Sequence, residues 1–185
     1  MLRDLVVRAQ GGDVDAFSAL TAGRTDRLYA AARLILRDDE QAADAVQDAL
    51  LQTWLDLRGL RDPERFDAWL HRLLIRACYR AAKRRRTREV IEIKVASTAD
   101  PVTPDSQRAI ALRDQLERGF RSLSPDQRAV IVLHHYLGLS LAESAYTLGI
   151  PLGTMQSRLN RAIQVMRAAL DAEDRPAALA GEVLR

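Results

Sequence analysis

Residues 139–170 read LSLAESAYTLGIPLGTMQSRLNRAIQVMRAAL, and the rest of the chain is best understood from this stretch. Ser140 followed by Glu143 is a capping box, in which each side chain takes the other residue's backbone N–H, so a helix starts there. Ala142, Ala145 and Leu148 mark its inward side. Gly149 ends it, because the residue after a helix often takes positive φ. Ile150–Pro151 then turns the chain into a second helix. Its residues Met155, Leu159, Ala162, Ile163, Met166 and Leu170 recur at helical spacing and form one apolar stripe. Gln156, Ser157, Asn160, Arg161 and Gln164 form the opposite stripe, with no acid before Asp171. Nearly all of these side chains can hydrogen-bond a base edge or a phosphate. Two short helices, a glycine turn and a basic, amide-rich outer face describe a helix-turn-helix. An ordinary helix pair with a solvated face is the alternative, but such a face usually mixes both charge signs, which favours the DNA-binding reading.

Composition supports an all-helical protein: glycine, proline and aromatic residues are few, while Ala, Leu and Arg abound. A chain of 185 residues has room for one domain or two small ones. The net charge is only +3, although the pI is about 9.4. The distribution of charge is therefore more informative than its sum. The single cysteine, Cys78, cannot close an intramolecular disulfide, which suits a reducing cytoplasm. It stands in an apolar helical stretch, where a buried, inert thiol is expected. There is no apolar run of about 18 residues and no signal-peptide core at MLRDLVVRAQGGD, so no membrane insertion is expected.

In chain order, Leu2, Leu5, Val6 and Ala9 mark a first helix stopped by Gly11–Gly12, and Asp13 can cap the next. Phe17, Leu20, Leu28, Ala31, Ala32 and Ile35 read as one helical run ending at Asp38–Asp39, which offers a cap for the next helix. The following helix, Glu40 to Leu57, has Ala43, Val46, Leu50, Thr53, Trp54 and Leu57 as its buried stripe. Its other side presents Asp44, Gln47, Asp48, Leu51, Gln52 and Leu55. Outward leucines among acids and amides are either ordinary exposed residues or anchors of a docking face with charge complementarity. Spacing alone does not choose between them.

Gly59 ends that helix, and Asp62–Pro63 opens a long one. Phe66, Trp69, Leu70, Leu73 and Ala77 form its apolar stripe, while Arg72, Arg76, Arg80 and Lys83 recur along one face. Between Asp67 and Glu89 stand eight Lys or Arg and no acid. Cations at this density repel one another, and a polyanion is the partner that accounts for them. A membrane-surface helix is the weaker alternative, because the apolar side has core-like spacing.

From Glu89 to Ser106 helical periodicity disappears. This stretch holds two prolines and a net charge of −3 (Glu89, Glu92, Asp100 and Asp105 against Lys94), and reads as a linker between two domains. Ser106 can cap the next helix, with Ala109, Leu112, Leu116 and Phe120 inward. Ser124–Pro125–Asp126–Gln127 caps another, which carries Val130, Ile131, Leu133, His134 and Leu137 and ends at Gly138. The tail after Leu170 reads as frayed. His134 and His135 point about 100° apart and lack a wider ligand set, so no metal or other cofactor is expected. No nucleophile–base pair, catalytic carboxylate pair or phosphate loop is present, so no enzyme activity is expected either.

Two separated segments together resemble one family. LSPDQRAVIVLHHYLGLSLAESAYTLGIPLGTMQSRLNRAIQVMRAAL is similar to the fourth conserved region of bacterial RNA polymerase sigma factors of the extracytoplasmic-function (ECF) group. GTMQSRLNRA stands where that family writes Gly-Thr-Val-x-Ser-Arg-Leu-x-Arg-Ala. AADAVQDALLQTWLDL resembles the segment that docks on the polymerase clamp, and RFDAWLHRLLIRACYRAAKRRR the segment that melts and reads the −10 element. The resemblance covers nearly all of residues 1 to 170. It implies two small helical domains joined by a flexible linker: residues 1–88 for the clamp and −10 element, linker 89–106, a helix-turn-helix domain 107–172 for the −35 element, and tail 173–185.

The resemblance also assigns site residues. Asp44, Gln47, Asp48, Leu51 and Gln52 would face the clamp helices of the largest polymerase subunit, and the second domain would meet the flap of the second subunit. Arg58, Leu60, Arg61 and Arg65 would hold a flipped −10 base, with Arg72, Arg76, Arg80 and Lys83 on the DNA backbone. Gln156, Ser157, Asn160 and Arg161 would face −35 bases, with Thr154 and Arg158 nearer phosphates. Arg76 and Arg80 depart from the family pattern, which usually has Asn and often Asp there. An anti-sigma factor is a further expected partner, and the acidic linker between basic flanks implies several relative domain orientations. A free-standing regulator and a module that only titrates an anti-sigma factor are the competing readings. The leucines at 51 and 55 oppose the first, and the intact basic stripe opposes the second.

Overall fold

The computed structural model describes residues 2–91 and 115–182, with side chains over 2–87 and 115–172. All its described elements are helical. Most of the expected linker, together with Ala109 and Leu112, lies outside the described residues.

Helix α1 (Leu2–Gln10) stops where expected, at Gly11 and at Gly12 with φ +95°. Asp13 then caps α2 (Val14–Ala22), its carboxylate accepting from the Ala16 N–H at 2.9 Å. That N–H, and then Arg8, hold the Asp13 carboxyl below its usual range. The run from Phe17 to Ile35 is two helices rather than one: α2 ends at Gly23, and α3 spans Thr25–Leu36. Arg24 holds the corner by donating to the Leu20 carbonyl and to the Asp67 carboxylate. At the far end of α3, Arg37 adopts φ 57°, ψ 41°. This left-handed conformation costs a non-glycine residue about 1–2 kcal/mol.

Helix α4 (Asp39–Asp56) is capped by Asp38. Its buried residues are Ala42, Ala45, Val46, Ala49 and Thr53. The stripe is therefore turned relative to expectation: Ala43 is exposed, and Leu50 and Trp54 are half-buried. Small residues at 42, 45, 49 and 53 let neighbouring helices approach closely, and Thr53 satisfies its hydroxyl on the Ala49 carbonyl at 2.7 Å. A 3₁₀ turn, Leu57–Gly59, and a second at Pro63–Arg65, capped by Asp62, lead into α5 (Phe66–Ile91).

The first bundle packs Val6, Leu20, Leu28, Ile35, Leu57, Phe66, Leu70 and Leu74, none more than 1 % exposed. Helix α5 is buried on more than one side. Ile75, about 180° around the helix from Phe66, is only 2 % exposed, and two helices of the second bundle, Pro125–Ile131 and Leu141–Leu148, pack against α5.

The second bundle is described from residue 115, within helix α6 (115–121). Phe120 is buried as expected, but Leu116 is 53 % exposed. Helix α7 (Pro125–Ile131) has the full Ser124/Gln127 capping box and runs into a π-helical turn, Val132–Tyr136, which the sequence did not announce. Helix α8 (Leu141–Leu148) carries the Ser140/Glu143 capping box and ends at Gly149 with φ 67°. Helix α9 spans Leu152–Glu182, so the backbone remains helical well past Leu170. Met155 and Ala162 are fully buried. A Cβ on Gly119 would lie 2.7 Å from the Met166 Cγ, which shows how closely α6 and α9 approach. In α8 the inward residues are Ser144, Ala145 and Thr147, whereas Ala142 is exposed and Leu148 half-buried. This helix is covered by α5 as well as by α9, so its buried face is not the one that α9 alone would select.

Candidate nucleic-acid interface

Three surfaces carry the expected site residues. The first is the outer face of α9. The α8–Gly149–α9 corner fixes its direction, and Met155, Leu159 and Ala162 lock its inner side into the core. Gln156, Ser157, Asn160 and Arg161 are consequently all exposed on the other side, with Gln164 continuing the row. Ser157 already donates to the Thr154 carbonyl at 3.0 Å, which leaves its oxygen as an acceptor. Thr154 and Arg158 are half-buried beside this row. Amides and a guanidinium presented over about two turns of helix are groups able to hydrogen-bond base edges in a major groove.

The second surface is on α5 and the loop before it. Arg58, Arg61, Arg65, Arg76, Arg80 and Lys83 are exposed, while Arg72 is half-buried. Leu60 packs partly into the core, and its carbonyl accepts from the Gln10 amide at 2.8 Å. Arg58 donates to the Gln10 carbonyl at 3.3 Å, so Gln10 of α1 pins this loop. Arg80, Lys83, Arg84 and Thr87 line a shallow cleft. The arginine row is shared between neighbours: Arg80 approaches Asp48 of α4 at 3.8 Å, whereas Arg72 lies over the Tyr146 ring of α8. A step of four residues drifts by about 40° per step on a helix, which explains why Arg72 and Arg80 meet different partners.

The third surface is α4. Asp44, Gln47 and Leu51 are exposed, and Asp48 and Gln52 half-buried. Leu51 is 58 % and Leu55 62 % exposed. Leu51 and Gln47 border an open groove of about 620 Å³ lined by Phe17, Tyr29, Val46, Leu50 and Trp54. Gln52 donates to Asp56 at 2.7 Å. The aromatic floor of this groove was not foreseen: Phe17 and Trp54 meet edge-on at 5.0 Å, and both read as core residues in the sequence.

Other features that sequence reasoning missed lie where the bundles meet. Arg27 of α3 donates to the Leu137 and Tyr136 carbonyls at 2.9 and 3.3 Å. Arg128 of α7 donates to the Ile35 carbonyl at 3.0 Å and to that of Phe120 at 2.9 Å. Burial, followed by the charges of Arg37 and Arg85, pushes the Arg128 guanidinium down to about 10, so it remains charged at neutral pH. Burial also raises the Tyr79 phenol, with the Asp126 carboxylate next in effect. No sequence motif marks an arginine that will bond backbone carbonyls. Cys78 is fully buried, and burial pushes its thiol up to about 12, as an inert thiol requires. His134 bonds the Leu139 carbonyl at 2.8 Å through Nδ1 and stacks edge-on against His135.

Residues 24–88 match the model for Sigma-70 region 2, and residues 113–166 that for Sigma-70, region 4. The chain is 32 % identical over 163 residues to an RNA polymerase sigma-E factor of Streptomyces avermitilis, covering 88 % of this chain and 89 % of the relative. It is 31 % identical over 159 residues to the ECF RNA polymerase sigma factor SigM of Mycobacterium tuberculosis, covering 86 % and 79 %. Among solved structures, CnrH in complex with the cytosolic domain of CnrY superposes with a TM-score of 0.66 at 27 % identity over 92 % of this chain and 97 % of that one. The sigma factor RpoE in complex with the anti-sigma factor NepR from Bartonella quintana gives 0.68 at 28 % identity over 84 % and 96 %. Two helical units with these matches, in this order and over this much of the chain, establish that the protein belongs to the extracytoplasmic-function group of RNA polymerase sigma factors.

Proposed function

We propose that this chain binds core RNA polymerase, recognises −35 and −10 promoter elements and promotes DNA melting at the start of transcription. The observation that carries this reading is the acid-free row Gln156, Ser157, Asn160 and Arg161, wholly exposed on the second helix of a capped helix-turn-helix. The division of labour follows the surfaces. Residues 1–88 form a unit that meets the polymerase clamp through Asp44, Gln47, Asp48, Leu51 and Gln52 and the −10 element through α5. Residues 107–172 form the −35 unit, with linker 89–106 between them. Arg161, with its planar fork of donors, reads a base edge in the major groove. The cations of α5 position the DNA by its phosphates, while Arg61 and the loop before α5 discriminate the displaced base.

An anti-sigma factor is the natural regulatory partner, because the two well-matched solved structures are complexes, one with the anti-sigma factor NepR and one with the cytosolic domain of CnrY. The protein acts in this scheme as an initiation factor, with polymerase supplying the catalysis. The decisive experiment is run-off transcription with purified core polymerase on the promoter upstream of the protein's own gene. A discrete transcript that depends on the chain supports the reading. Core-only transcript levels at saturating chain would overturn it.

A further inference from the structure

One hydroxyl stands inside the basic patch of α5. Thr87 follows Arg84, Arg85 and Arg86, and it is the only Ser or Thr in the sequence with a basic residue at both the third and the second preceding position. No acid stands between Asp67 and Thr87. A rotation of about 100° per residue brings Arg80, Lys83, Arg84 and Thr87 onto one face of the helix. These residues line the shallow cleft described above, of about 450 Å³, and all of them are exposed. The Thr87 hydroxyl donates to the Lys83 carbonyl at 3.1 Å, a bond that does not use the lone pairs of its oxygen. Asp48 of α4 approaches Arg80 only at 3.8 Å, so the cleft keeps its positive charge. A threonine bonded to its own helix is ordinary; one set among cations on an exposed face is placed to carry an anion.

We propose that Thr87 is a phosphorylation site for an arginine-directed serine/threonine kinase, and that its phosphate seats among Arg80, Lys83 and Arg84. A kinase of this class selects basic side chains ahead of the acceptor by charge complementarity, and Arg84 and Arg85 supply them. Thr87 lies one turn before Ile91, the last residue of α5. Opening a terminal turn is the least costly opening a helix has, and it presents the hydroxyl. In the transfer, the Thr87 Oγ1 bonds the γ-phosphorus of Mg-ATP as the bond from that phosphorus to the β,γ-bridging oxygen breaks. ADP leaves, and the hydroxyl proton passes through the kinase's catalytic carboxylate to solvent. The product carries about −1.5 to −2 charges at pH 7 and three acceptor oxygens. Arg84 and Lys83 stand one turn before it and Arg80 two turns before it, so one phosphate can take charge-assisted bonds from all of them. The helix C-terminus opposes an anion with only about half a charge, which these cations outweigh. The consequence for DNA rests on the function proposed above, although the modification itself does not. Cations seated on the phosphothreonine are withdrawn from DNA phosphates, so the basic helix is weakened while the row from Gln156 to Arg161 is untouched.

The test uses the full chain, Mg-ATP and the catalytic subunit of cyclic-AMP-dependent protein kinase as the arginine-directed probe. Intact mass with fragmentation should place one phosphate on Thr87, and Thr87→Val should abolish it. Arg84→Ala should slow the modification by about tenfold or more, whereas Arg80→Ala, two turns from the acceptor, should not slow it. The phosphorus-31 titration midpoint of the phosphothreonine should lie below its ordinary value of about 6, because nearby cations favour the dianion, and Arg80→Ala should return it toward that value. The slope of log affinity against log salt for a single-stranded oligothymidylate should fall in magnitude by about 1.4, as the loss of two phosphate contacts on a single strand requires. No phosphate, or phosphate only on other residues, overturns the site. Phosphate on Thr87 with an ordinary midpoint overturns its seating on the cations. A lowered midpoint with an unchanged salt slope overturns the effect on DNA. Failure of run-off transcription by the unmodified chain would instead remove the sigma-factor reading, while the mass and titration measurements stand.

Discussion

Truncating Leu51 to alanine separates docking from folding in one measurement. Leu51 is 58 % exposed at the edge of the groove floored by Phe17, Leu50 and Trp54. Full burial of a leucine side chain contributes about 2 kcal/mol, so just over half of that, about 1.2 kcal/mol, is left for a partner to claim. Leu51→Ala should therefore weaken binding to core polymerase by about sevenfold. Leu51→Arg should do more, because a guanidinium would have to be desolvated against aromatic rings. Stability should change by less than about 0.5 kcal/mol, as for other exposed sites. Fluorescence-anisotropy titration of labelled chain with core polymerase measures the first quantity, and a thermal melt by circular dichroism the second. An unchanged dissociation constant for both variants would refute the assignment of this face, and a melting temperature that falls in step with binding would make Leu51 a structural residue.

Arg161→Ala should cost about 1–3 kcal/mol on the preferred promoter and relax preference at a single −35 position; equal weakening on every sequence would make it a phosphate contact. Arg80→Ala should weaken binding to all −10 sequences and lower the slope of log affinity against log salt by about one, with little change in stability, since its pairing with Asp48 is long and exposed. His71 gives a pH dependence. Burial lowers its folded-state pKa, and its Nδ1 has no hydrogen-bond partner. A depressed imidazole favours the folded state while neutral. That stability is complete above the unfolded value of about 6.5 and declines as pH falls from there through the folded-state value. Melts between pH 7 and 5.5 should show a fall that His71→Gln reduces, and identical pH profiles would remove His71 from the account.

The signals that were legible in the sequence are those written locally. Ser124 with Gln127, Ser140 with Glu143, Asp13, Asp38 and Gly149 all cap the helices they were expected to cap, because a cap depends on residues within one turn. The apolar stripe of α9 and its polar opposite were readable for the same reason. The phase of α4 was not, since weighting the large residues Leu50 and Trp54 hid the alanine row that makes the contact. Gly23 alone gave little notice that the run from Phe17 to Ile35 divides, and the Arg24–Asp67 pair that holds the corner spans 43 residues. Ser144 and Thr147 were not marked as inward because they are polar, yet both are buried in a helix that α5 and α9 cover together. Arg27 and Arg128 were unreadable for a deeper reason: their partners are carbonyls, which every residue possesses.

The alanine row of α4 has a consequence for how variation is transmitted through the molecule. Ala42, Ala45 and Ala49 set the spacing between this helix and its neighbours by single methyl groups, and the same rod displays Leu51 on its far side. There is no compliant layer between the two, as there would be if long, adaptable side chains filled the seam. Adding a methylene at the seam moves the rod, and the rod carries its outer surface with it. A buried alanine thus acts as a shim, and the position of the outer face of α4 is adjustable from inside the protein.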